Sequence, residues 1–357
     1  MFIKTDTLMK ACNLFIWGLA LVAGLGACNK EMDHDEMEMP LNINYPAAFV
    51  VNGQDNSLSV IKLADNQVVE TIKLKDAVAP HHVSLSPDKT KLAVAVTSTD
   101  LSGGHGVGHG ANSSFKVVIL DAITGLALRT LDLPKMPHNA AFNANGTELW
   151  IGQSDDNSGT VVVYNTADWA VKNTIAVGKS PSEVTFSVDG AAAFVANTGA
   201  ATVSVIEPTT KSVTATLPVG EDPVGAWPAT NGKMYVDNET SQTVSVIDVS
   251  SASITETLTL GFKPGYVAFQ DKSGELWVSN ATSGKVVIYQ RSGGAWTKKA
   301  EVPTGSDAHA IAFNKDRSLA YVTNQGAHTV TVLDAATYTK VKEVAVGRMP
   351  NGIVLKQ

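Results

Sequence analysis

The chain has 357 residues, 44% of them hydrophobic and 17% charged, and a formal net charge of −7. That hydrophobic share can fill a large core, and the acidic balance excludes a nucleic-acid partner, which calls for a basic surface. Both cysteines, Cys12 and Cys28, fall near the start, so the body of the chain has no disulfide and no cysteine redox chemistry.

Lys4 and Lys10 precede a short apolar run, Leu14 to Gly26, that closes on Leu25-Gly-Ala-Cys28. The run is too short to span a bilayer comfortably and has the proportions of a signal peptide, residues 1–27. Leu-Gly-Ala-Cys resembles the lipobox of bacterial lipoproteins. The resemblance implies cleavage before Cys28, lipid on Cys28, and anchorage to the outer membrane, facing the periplasm or the cell exterior. Asn29 to Pro40 is acidic and lacks a hydrophobic period, so residues 28–44 are expected to be a flexible tether. The stretch is also similar to the acidic export signals of surface lipoproteins. Met32, His34, Met37 and Met39 are soft donors that suit copper, although most such linkers bind nothing.

Beyond the tether one phrase recurs roughly every forty residues, a period typical of repeat architectures. It appears as Phe49-Val-Val-Asn52, Phe194-Val-Ala-Asn197, Met234-Tyr-Val-Asp-Asn238, Leu276-Trp-Val-Ser-Asn280 and Tyr321-Val-Thr-Asn324. Each copy precedes a polar turn and an alternating apolar strand, with no helical pattern between, which predicts an all-β propeller. A unit reads as four strands. The inner strand opens at a proline, and a Gly turn such as Asn143-Ala-Asn-Gly146 leads into the aromatic-Val-x-Asn strand. The third strand is exemplified by Thr243 to Asp248, and the fourth ends in Val-Gly. Asp121, Asp248 and Asp334 read as turn residues. Inner strands start near Pro80, Pro137, Pro181, Pro223, Pro264, Ala308 and Pro350, which predicts seven blades. The three strands between Ala47 and Leu74 lack an inner strand, and Pro350 to Leu355 lacks partners. The two pieces are expected to close one blade and the domain, residues 45–357, leaving no open sheet edge.

The phrase is similar to the repeat of the YVTN family of seven-bladed β-propellers. That family includes surface-layer proteins, lipoproteins and relatives of the haem-binding propeller of periplasmic nitrite reductase. The resemblance covers essentially the whole mature chain; it implies the fold and leaves the chemistry open.

The residues that break the repeat carry the functional expectation. Aligned on the prolines, His81, His138 and His309 share one register, where the other blades have Ser182, Val224, Gly265 and Asn351. His82 follows His81, His105 and His109 lie in the Gly-rich insertion Ser102 to Gly110, and His328 occupies the corresponding loop of another blade. All should gather on one face. His81, His138, His309, His82, His105 and His109 form the candidate ligand set, for copper, zinc or a haem-type group. Asp155, Asp156, Glu183 and Asp307 could join or orient them. The competing expectation is packing. Strict alternation puts His81 with Val83 and Leu85, and His309 with Ile311 and Phe313, between blades. Packing is the preferred expectation for His82 and His328, and core filling for Trp150, Trp227, Phe262, Tyr266 and Trp277.

The chain has no Cys-x-x-Cys-His, no Gly-rich phosphate loop opening a helix and no Gly-x-Ser-x-Gly elbow. The sequence therefore leans away from catalysis. The first expectation is a noncatalytic binding or scaffold module that takes a protein or small molecule on its histidine-bearing face. The alternative is a metal- or tetrapyrrole-binding propeller for copper or haem handling or redox chemistry.

Overall fold

Apolar alternation interrupted by Gly, Asn and Asp turns produces seven four-stranded antiparallel sheets set in a ring. The computed structural model describes residues 39–101 and 114–357; Cys28, Met32, His34, Met37, His105 and His109 lie outside the described residues. Blade 1 joins Ala47–Asn52, Ser57–Lys62 and Gln67–Lys73 to the inner strand Pro350–Lys356. Blades 2 to 7 follow in chain order, opening at Pro80, Pro137, Pro181, Pro223, Pro264 and Ala308. The expected closure is therefore present: Ala47 pairs with Lys356 and Asn52 with Pro350, antiparallel.

The recurring phrase has a physical reason. Its aromatic first letter supplies the largest fully buried side chains, Phe49, Trp150, Phe194, Tyr235, Trp277 and Tyr321, all at one register between blades. Its terminal Asn ties the second strand to the third. Asn52 Nδ2 donates to Ser57 Oγ at 3.1 Å and Ser59 Oγ at 3.0 Å. Asn197, Asn238 and Asn324 repeat the pattern with hydroxyls five and seven residues on. In blade 6 those positions are Lys285 and Val287, and Asn280 instead accepts from Ser283 N at 3.1 Å.

The same Asn explains the closing Val-Gly of the fourth strand. A Cβ on Gly347 would lie 2.5 Å from Asn52 Cγ, and Gly178, Gly220 and Gly305 face Asn197, Asn238 and Asn324 in the same way. Asn52 is fully buried and bonded, so it cannot retreat. Gly347→Ala is expected to lower stability by about 1–3 kcal/mol, the usual range for overpacking, read as a fall in the urea midpoint at unchanged slope.

Each inner strand carries a bulge just after its first residue. In blade 2 Pro80 pairs with Val96 and Val83 with Val94, so His81 and His82 together oppose Ala95. The same two-against-one count recurs at 138–139, 182–183, 224–225, 265–266, 309–310 and 351–352.

Asp121 and Asp334 cap their turns as expected, each accepting from backbone N–H groups two and three residues on at 2.8–2.9 Å. The segment just before the first strand also packs on the propeller. Leu41 N and Ile43 N donate to Thr124 O and Ile123 O at 2.8 Å, and Ile43 is fully buried. Residues 41–43, assigned to the tether from sequence, thus belong to the folded unit 40–357.

Candidate metal centre at the hub

The bulges decide which side chains reach the axis. A regular strand would send neighbouring residues to opposite faces, whereas a bulge re-aims one of them. His81 and His82 consequently lie together, their ring centroids 4.6 Å apart at 85°. His138 of blade 3 joins them, 4.6 Å from His81 and 5.1 Å from His82. One ligand nitrogen from each of the three falls within 4.8 Å of the others, the spacing of a set that can close on one ion. His309 stands further back, 6.2 Å from His81 and 6.1 Å from His82. Two hub glycines make room: a Cβ on Gly352 would sit 3.0 Å from His82 Nδ1, and one on Gly265 would sit 3.5 Å from His309 Nδ1.

Glu183, at the second bulge position of blade 4, is buried beside the cluster. Its Oε1 is 2.6 Å from His138 Nδ1 and 3.3 Å from His82 Nε2. An ionised carboxylate there takes the Nδ1–H of His138, which fixes the tautomer whose lone pair is on Nε2 and makes that nitrogen the better metal donor. Three imidazoles with a buried orienting carboxylate and no thiolate suit zinc, copper(II) or nickel.

Blades 5 and 6 build the opposite wall. Asp237 is the residue facing the bulge of blade 5, where its Oδ1 accepts from Gly225 N at 3.2 Å and from Trp227 Nε1 at 2.7 Å. The indole is thereby laid over Gly225, where a Cβ would be 2.3 Å from the ring. Burial, with the Glu239 charge adding to it, pushes the Asp237 carboxyl up to about 7. Trp227 stacks on Tyr266 at 3.9 Å between centroids. Burial first, then the charges of Glu183 and Asp237, raise the Tyr266 phenol above its ordinary value.

A cavity lies on each side of the cluster. The upper one, about 350 Å³, opens where the inner strands begin and is lined by His81, His309, Asp307, Glu239, Lys263 and Gln325 among others. The lower one, about 280 Å³, reaches His82 and Glu183 past Trp227, Tyr266, Phe142 and Phe186.

Of the expected ligands, His81, His82 and His138 come together, His309 borders them, and His105 and His109 lie outside the described residues. His82, for which packing was the preferred expectation, lies beside His81 and His138 with its Nε2 3.3 Å from Glu183. Trp227 and Tyr266, expected as core filling, do pack against core clusters and also wall the lower cavity. Trp150 and Trp277 are core, as expected. His328 is a turn residue, its Nδ1 2.9 Å from Gln325 O and 3.2 Å from Met349 N. Asp155 is paired with Lys135 at 2.6 Å and Asp156 takes the Ser180 hydroxyl at 3.0 Å, so neither serves the cluster. Asp237 was missed; its signal was a carboxylate where the other blades carry Val51, Ala95, Gly152, Ala196, Ser279 and Thr323.

No protein-family model and no curated protein matches the chain. Solved structures do. The periplasmic gluconolactonase of Pseudomonas aeruginosa superposes with a TM-score of 0.69 at 17% identity, over 87% of this chain and 99% of that one. Hydrazine synthase of Kuenenia stuttgartiensis gives 0.64 at 19% identity, over 78% and 90%. A dihydro-heme d1 dehydrogenase in complex with DHE gives 0.62 at 14% identity, over 88% and 79%. At such identities the likeness is one of architecture, and the chain is a seven-bladed β-propeller of the kind these proteins share.

Proposed function

We propose that the protein is a lipid-anchored, extracytoplasmic binding module of the YVTN-repeat type whose hub holds one transition-metal ion, zinc or copper. The observation that carries this reading is the convergence of His81, His82 and His138 with Glu183 2.6 Å from His138 Nδ1. Four polar side chains are placed there by three consecutive blades, whereas the bulge positions of blades 5 and 6 are Val224, Gly225, Gly265 and Tyr266. The imidazoles pack against one another at 4.6 Å, which leaves no slot for a macrocycle between them and favours a bare ion over a tetrapyrrole. The lipid anchor rests on Leu25-Gly-Ala-Cys28.

Purified protein, as isolated or after reconstitution with zinc or copper and gel filtration, is expected to retain one ion per chain. His138→Ala should lose it, and Glu183→Gln should weaken binding by about 10–100-fold, the usual effect of removing a carboxylate that orients a ligating histidine. A wild-type protein that retains no stoichiometric metal after reconstitution sinks the proposal. Separately, Cys28→Ala is expected to move the protein from the membrane fraction to the soluble one.

A further inference from the structure

The three convergent imidazoles come from neighbouring blades 2 and 3, so they approach an ion from one side of the axis. On the other side blade 6 offers Gly265 at the register of His81, and blade 7 offers His309, set back from the convergent group. The cavities differ in chemistry. His81 and His309 face the upper one in the company of Asp307, Lys263 and Gln325, whereas the lower one is walled mostly by aromatic and aliphatic side chains.

Building on the metal reading, we infer that the hub ion keeps one coordination position open toward the upper cavity, with His309 as hydrogen-bond partner of the exchangeable ligand there. Among the described residues three imidazoles converge, and three protein ligands with one free position distinguish metal sites that act on small molecules from closed structural sites. Gly265 keeps the approach clear, since any side chain there would press on Ala308 O and Ser279 Oγ at 3.1 Å beside the His309 ring. The ligands that fit are water, small anions, and the carbonyl or carboxylate oxygen of a molecule that can enter a cavity of about 350 Å³. His309 is a positioning residue in this arrangement.

Cobalt(II), whose visible bands report coordination, is loaded into the protein and azide is added as the probe. Azide is expected to shift the cobalt bands. His309→Ala should keep cobalt but change the azide affinity by about tenfold, the size of one lost hydrogen bond to a charged group. Thr282 and Pro228 are exposed residues on the rims of the upper and lower cavities. Thr282→Trp should slow azide association by about tenfold while Pro228→Trp leaves it unchanged, because association rate follows access. Bound cobalt whose spectrum ignores azide overturns the open position. Loss of cobalt from His309→Ala would make His309 a fourth ligand and overturn it too. Slowing by Pro228→Trp rather than Thr282→Trp would reverse its direction. Wild-type protein that binds no cobalt fails the metal reading itself, a result distinguishable from all of these.

Discussion

Ending the chain after Met349 is expected to leave no cooperatively folded domain, although only eight residues are removed. The strand Pro350–Lys356 is the innermost of blade 1 and pairs along Ala47–Asn52, every residue of which is buried. It also binds the neighbouring blade: Thr323 Oγ1 donates to Asn351 O at 2.9 Å and Gln325 Nε2 donates to Asn351 Oδ1. Ile353, Val354 and Leu355, each partly buried, pack on the core clusters beside it and contribute a share of the about 1.5–3 kcal/mol that full burial of such a side chain gives. Together with the lost ladder this approaches the whole net stability of a domain, about 5–15 kcal/mol. Far-UV circular dichroism through a urea titration should show a sigmoidal transition for the full chain and none for the truncated one. A truncated protein that unfolds at the native midpoint would contradict closure as the source of cooperativity.

The second large effect concerns Asp237 and pH. Its carboxyl stands at about 7 in the fold, against 3.8 when unperturbed. Below pH 3.8 both folded and unfolded chains carry the proton and nothing is lost. Between pH 3.8 and about 7 the unfolded chain releases a proton that the folded chain keeps, so this group lowers stability as pH rises; above about 7 the loss is constant. Its full size is about 4 kcal/mol. Asp237→Asn keeps an oxygen for Trp227 Nε1 and Gly225 N and carries no charge. The variant is expected to match the wild type near pH 4 and to exceed it by pH 8, with the difference between the two proteins changing by about 4 kcal/mol across that interval. Paired urea titrations at the two pH values measure it. A difference that does not change with pH would mean that Asp237 is ionised in the fold at little cost.

Most of the fold was legible because it repeats. The prolines counted the blades, the aromatic-Val-x-Asn phrase placed the second strands, and the unpartnered strands at the two ends predicted the closure that Ala47 and Lys356 display. The site was only half legible. His81 and His138 stood out at a shared register, but period-two alternation sent His81 toward Val83 and His309 toward Ile311. Nothing in Pro80-His-His-Val announces a bulge; it shows only in the pairing of Pro80 with Val96 and of Val83 with Val94. Glu183 was visible only as a carboxylate further round the face, since its contact with His138 bridges 45 residues of sequence. Trp227 looked like core because its partner, Asp237, lies on the next strand of the same blade and sits where a smaller residue is usual. The Asn-to-hydroxyl ties were hidden in plain view, as a spacing repeated in four blades whose reason is apparent only when both strands are paired.

The bulge that recurs in all seven blades separates two vocabularies in one sequence. Aromatic, Asn, hydroxyl and Gly positions, running from the second strand to the end of the fourth, spell the scaffold. The dipeptide after each opening residue spells the hub, as His-His, His-Asn, Ser-Glu, Val-Gly, Gly-Tyr, His-Ala and Asn-Gly in turn. One of them also ties the frame, since Asn351 accepts from Thr323 and Gln325 of blade 7. A ring built this way works as a combination dial of seven wheels, on which substitutions at the dipeptides reset the chemistry of the hub within one frame.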